Sequence, residues 1–206
     1  MAFFSSDDIK NLDKIYQINL INSCSGYKSA NLLGSISKEG ITNVAVFSSV
    51  THLGSNPPTF GYILRPTTVP RDTYKNIKET GIFTINHIFE DILEDAHHTS
   101  AKYPEEISEF NVTNLEIDFK ENCIAPFVKN SPVQMKMKFV EEVYIKSNDV
   151  LMVVAEIDQL YIHDELLQED GFVNLSVGKV ATINGLDGYA VPELKTRFGY
   201  QRPKKQ

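Results

Sequence analysis

Between Ser29 and Ile88 the chain passes through four short apolar segments, NLLGSIS, TNVAVFS, FGYIL and GIFTINH, separated by turns rich in hydroxyls, proline or positive charge. Runs this short, bounded by Gly, Pro and Ser, read as strands rather than helices. Together with one or two inserted helices they predict a mainly β, barrel-like domain and not a βαβ fold. The same stretch carries five Lys/Arg (Lys38, Arg65, Arg71, Lys75, Lys78) against three acids (Glu39, Asp72, Glu79), a surplus of +2. The chain's net charge is −7, so the remainder carries −9, and an anion-binding region inside an acidic protein is the simplest account.

Individual segments sharpen this expectation. In TNVAVFS the residues Val44 to Phe47 are all apolar, which predicts a strand covered on both faces. Val133, Met135, Met137 and Phe139 alternate with Gln134, Lys136 and Lys138, which predicts a strand with one wet face. The turn Lys146 to Asp149 then leads into VLMVVAEI, completing a hairpin. Arg71 to Thr80 reads as a helix capped by Asp72 or Thr73 and stopped by Gly81. A second helix is predicted from His87 to His98, and AKYPEEISEFNVTNLE as an excursion outside the barrel.

Composition excludes several classes. With 206 residues, no linker and no repeat, one domain over 1–206 is expected. The acidic balance opposes nucleic-acid binding, and the terminal PKKQ reads as a solvated tail. MAFFSSDDIKNL lacks the features of a signal peptide, and no run is apolar enough to span a membrane, so the expectation is a soluble cytoplasmic protein. Cys24 and Cys123 are read as free thiols, too few for a four-thiolate iron–sulfur cluster. Five histidines, His97-His98 included, show no metal-ligand spacing, and no nucleophile stands with its base. No Gly-x-Gly-x-x-Gly loop follows a strand, which argues against a Rossmann site.

For an anion, Thr73 at a helix N-terminus offers its hydroxyl beside free backbone N–H groups, and Arg65 and Arg71 offer charge-assisted hydrogen bonds. Spacing alone equally accommodates a plain N-cap and solvated arginines. Asp72 opposes an anion there, so its side chain is expected to point away. The turn Ser48-Ser49-Val50-Thr51-His52 exposes consecutive N–H groups, donors suited to negative charge on a flat ring. Ser35, Ser37 and Asn43 are secondary polar candidates, and Tyr189, behind the tight turn Asn184 to Gly188, is a candidate ring wall.

The order and spacing of NLLGSIS, TNVAVFSSVTHLGSNPP, FGYILRP and RDTYKNIKETGIFTINH, followed by HHTSAKY, SEF and NGLDGY, resembles the flavin reductase-like family of FMN-binding split β-barrels. The resemblance implies a Greek-key-like split barrel that binds FMN, its phosphate near Arg65, Arg71 and Thr73 and its ring along Ser48, Ser49, Val50 and His52, with Lys102 close to the cofactor. It further implies a homodimer with the flavin at the subunit junction, and NADH or NADPH bound only transiently. The function it implies is electron transfer from NAD(P)H through flavin to a small-molecule acceptor such as free flavin or a quinone, with no catalytic side chain. Some members carry a Gly-Asp-His triplet that holds the nicotinamide. This chain lacks it, the nearest residues being His163 and Asp164. That departure keeps open a non-catalytic FMN electron-transfer protein, and a barrel for another phosphorylated small molecule remains a third reading.

Overall fold

The computed structural model describes residues 1–65 and 69–203. Two N-terminal helices, α1 (Ser6–Lys10) and α2 (Lys14–Cys24), precede β1 (Lys28–Ser29), β2 (Asn31–Ile36), β3 (Thr42–Phe47), β4 (Thr51–Ser55) and β5 (Pro58–Leu64). Then come α3 (Asp72–Thr80), β6 (Ile82–His87), α4 (Leu93–His98), β7 (Ile117–Asp118) and β8 (Phe127–Val128). The long pair β9 (Val133–Ile145) and β10 (Val150–Ile162) follows, and β11 (Thr182–Asn184) and β12 (Gly188–Ala190) end the regular structure.

Seven strands form one antiparallel sheet in the order β3-β2-β6-β9-β10-β5-β4. Its two edge strands, β3 and β4, are consecutive in the chain, so the three residues between them must carry the backbone across the gap and roll the sheet into a split barrel. Ser49 closes that seam: its hydroxyl accepts from the Ile63 N–H and donates to the Ile63 carbonyl, both at 3.1 Å. Period-2 alternation then sorts the core. Leu33, Phe83, Ile85, Met135 and Met137 fill the barrel with Tyr62 and Val153, joined by Phe47. Leu32, Val44, Ile88, Ala96 and Phe110 form a second cluster on the outer face.

The β9–β10 hairpin, the Asn184 to Gly188 turn and the left-handed Gly81 (φ 72°) match expectation. Four readings are corrected. The helix expected from His87 begins at Leu93, because His87 ends β6 and Ile88 stays extended, donating to the Ala30 carbonyl and accepting from Ala181. Gln134 and Lys136 are buried, not wet: the arm over residues 120–130 covers them, and they donate to the Val128 and Asn122 carbonyls. The 101–116 segment does not stand clear of the barrel. Phe110 and Leu115 enter the outer cluster, and Glu109 accepts from the Val44 N–H of edge strand β3 at 3.0 Å. Finally, β3 has a cluster on each face, yet only Asn43 and Val44 are buried, while Ala45, Val46 and Phe47 remain half-exposed.

Candidate functional site

At one end of β3 the chain builds a buried polar network. Ser35 and Asn43 are cross-strand partners, and the Asn43 amide donates to Ser35 (3.2 Å) and to Thr73 (2.9 Å). Asn76, one turn further along α3, donates to Ser35 at 3.1 Å. Three expected site residues therefore converge, with Asn76 as a fourth that spacing did not mark. Neither Ser35 nor Thr73 donates its own hydroxyl proton to an acceptor among the described residues. Thr73 is not the N-cap, and neither is Asp72. Arg71 occupies that position without a side-chain cap bond, and Thr73 lies inside the helix with its hydroxyl turned toward the sheet.

Beside this network a cleft of about 420 Å³ is lined by Arg71, Asp72, Tyr74, Lys75, Glu79 and Glu105, among others. Lys75 is paired with Glu105, and Lys78 with Glu142 at 3.3 Å. Arg71 differs, since its buried Nε has no partner among the described residues. Asp72 lines the same cleft and does not turn away from it, so its carboxylate opposes an anion there; burial, and then Glu105, push its carboxyl up. Arg65 is exposed, just ahead of 66–68, which lie outside the described residues.

At the other end of β3 lies the Ser48–Val50 turn. The Ser49 hydroxyl is committed to Ile63, so only its backbone remains for a ligand. The N–H groups of Ser48, Ser49 and Val50 donate to no acceptor among the described residues. Beneath the turn, Ser29 donates to the Val50 carbonyl at 3.0 Å and Asn31 donates to Ser29 at 3.0 Å. Asn31 faces His87 across β2 and β6, and Asn31 Oδ1 and His87 Nδ1 are both buried without partners among the described residues. Burial depresses the His87 pKa to about 4, so the ring stays neutral. Neither residue carried a signal in the sequence, since their significance rests on a cross-strand register.

The remaining candidates stand apart. His52 is exposed on β4, 3.1 Å from Ser55 and edge-on to Phe60. Lys102 is exposed beyond α4. Tyr189 packs on the outer-face cluster, its hydroxyl 3.1 Å from His97 Nδ1 and its pKa pushed up to about 12 by burial and Asp187. Ser35 and Asn43 face the other side of that sheet, so Tyr189 does not join their network. Cys24 is exposed, Cys123 is buried and both are free. No helix among the described residues is long and apolar enough to cross a membrane.

A family model described as a flavin reductase like domain matches residues 27–177. The chain is similar to a split-barrel protein assigned as a flavin reductase from Shewanella frigidimarina NCIMB 400, with 41% identity, 98% of this chain and 100% of that one covered, and a TM-score of 0.94. The flavoredoxin of Desulfovibrio vulgaris (Miyazaki F) shares the fold at 19% identity, covering 85% and 92% of the two chains with a TM-score of 0.73. An uncharacterized protein of Aquifex aeolicus is 27% identical over 158 residues, 76% of this chain and 79% of that protein.

Proposed function

Because the chain belongs to the flavin reductase-like family, we propose that it is an FMN-dependent oxidoreductase passing electrons from NADH or NADPH through bound flavin to a small acceptor such as free flavin or a quinone. The observation that carries this reading is the Ser48–Val50 turn at the barrel seam, where three successive N–H groups have no acceptor among the described residues. The residues present fit FMN at both of its ends. The turn offers donors to the electron-rich pyrimidine side of the ring, and the unpartnered Arg71 Nε offers a charge-assisted bond to the phosphate. FMN supplies the electron chemistry that no side chain here provides. The chain's own part is to bind, to orient and to keep a neutral imidazole, His87, below the turn.

Anaerobic mixing of the FMN-loaded protein with NADH and with NADPH tests the reductase step. Bleaching of the flavin's visible absorbance by at least one of them is expected. If neither bleaches it, the protein is instead an FMN carrier served by a partner reductase. One observation favours that second reading: there is no Gly-Asp-His triplet, and His163 and Asp164 are exposed after β10, with His163 Nδ1 3.7 Å from Glu165.

Arg71→Ala should weaken FMN by roughly 10- to 100-fold, the equivalent of one hydrogen bond to a charged group. Riboflavin, which lacks the phosphate, should bind the variant as it binds the wild type. Fluorescence titration of both flavins checks this, and equal losses for the two would remove Arg71 from the phosphate.

The homodimer is part of the same proposal. Ser108 and Glu109 cover the edge of β3 at Thr42 and Val44, while Ala45 to Phe47 stay half-exposed with no strand of the described residues beyond them. Val46 packs on the outer cluster and Phe47 inside the barrel, so a second copy meets this edge and not one isolated side chain. FMN at the junction should stabilise the dimer by mass action. Sedimentation should show a larger dimer fraction with FMN, and a fully flavin-loaded monomer would refute the shared site.

A further inference from the structure

Away from the flavin cleft, a groove of about 270 Å³ lies between β7, the β8–β9 turn and the end of β10. Its lining includes Asp118, Lys120, Lys129, Ser131, Tyr161 and His163. Hydrogen-bond capacity in this groove is unbalanced. Each lysine ammonium has three donors. Lys120 commits one to Asp118 at 2.7 Å, and Lys129 commits one to Glu116 at 2.6 Å. Ser131 is 1% exposed and its hydroxyl has no partner among the described residues. The acceptors beside them are the Asp118 carboxylate, which takes one bond from Lys120, and the oxygen of the Tyr161 hydroxyl, which itself donates to Gln159 at 3.1 Å. The Lys120 ammonium is held 4.7 Å from the Tyr161 ring centroid, a cation–π contact that fixes it at the groove wall.

A groove whose two ion-paired lysines each keep further N–H donors, beside a buried hydroxyl without a partner among the described residues, is complementary to an acceptor-rich, anionic group. We infer that this groove is a second binding site, which takes the phosphate or carboxylate of a small molecule through Lys120, Lys129 and Ser131. The site stands independently of the flavin reading.

Inorganic phosphate and succinate, titrated separately into the full chain at ionic strength held constant with sodium chloride, test the site through amide NMR signals of residues 118–134. The expected result is a saturable shift confined to the groove with at least one of the two anions. Saturation by phosphate alone identifies a phosphate ligand, and saturation by succinate alone a carboxylate. Lys120→Met should weaken the response about tenfold, as loss of one charged hydrogen bond implies. Lys129→Gln, at an exposed position, should weaken it too and keeps the test valid if Lys120→Met fails to fold. Shifts that never saturate with either anion, or that both lysine variants leave unchanged, would overturn the proposal.

Discussion

Gly34→Ala is expected to destabilise the protein by about 3 kcal/mol or more, at or beyond the upper end of ordinary overpacking. Gly34 lies inside β2, and a Cβ there would stand 2.1 Å from the Pro126 carbonyl oxygen and 2.6 Å from Thr84 Oγ1. Both atoms are pinned, since Thr84 donates to that same carbonyl at 2.6 Å. Relief therefore requires the 120–130 arm to lift off β6, which also exposes Gln134 and Lys136. For a chain of this size the loss corresponds to a melting temperature lower by roughly 6 to 12 °C. Thermal and urea unfolding check it, and a change below about 1 kcal/mol would mean that the arm is not docked as described.

The second large effect concerns pH. His87, half-buried with its Nδ1 shut off from solvent, has its pKa depressed from 6.5 to about 4 because charging the ring there is unfavourable. A base depressed in the folded state contributes stability that is fully present above pH 6.5 and is lost as pH falls through the folded value. Across that window the loss is about 3 kcal/mol. Urea unfolding of the wild type and of His87→Gln, at pH 7 and at pH 4, separates this contribution from the carboxylates, which titrate in both proteins. The stability difference between them should change by about that amount. A pH-independent difference would show that His87 is solvated in the native protein.

Both effects arise from residues with no signal of their own in the sequence. Gly34 is unremarkable in NLLGSIS until the 120–130 arm is seen to cross it, a contact between segments far apart in the chain. His87 sits within what reads as a helical stripe. Ile88, Ile92, Leu93 and Ala96 do share one surface, the outer cluster, but the periodicity cannot tell that Ala30 and Ala181 hold Ile88 extended. Local signals were legible: the β9–β10 hairpin from its alternation and turn, and the end of α3 from Gly81; that Ser35 and Asn43 meet Thr73 was not, because Thr73 reads as a phosphate ligand and the other two as ring candidates. Coverage of a face by a distant segment was not. That is why Lys136 reads as exposed, and why Glu109, which seals the edge of β3, passes unnoticed within SEF. Thr73 shows the limit of spacing, since its position near the helix start is right while its cap role is not.

The proposed function requires this barrel to hold FMN by both ring and phosphate. Calorimetric titration of the purified apo protein with FMN and with riboflavin tests it most directly. The predicted result is saturable FMN binding at least about tenfold tighter than that of riboflavin, the worth of one charged hydrogen bond. Equal affinity for the two flavins, or binding of neither, would contradict it.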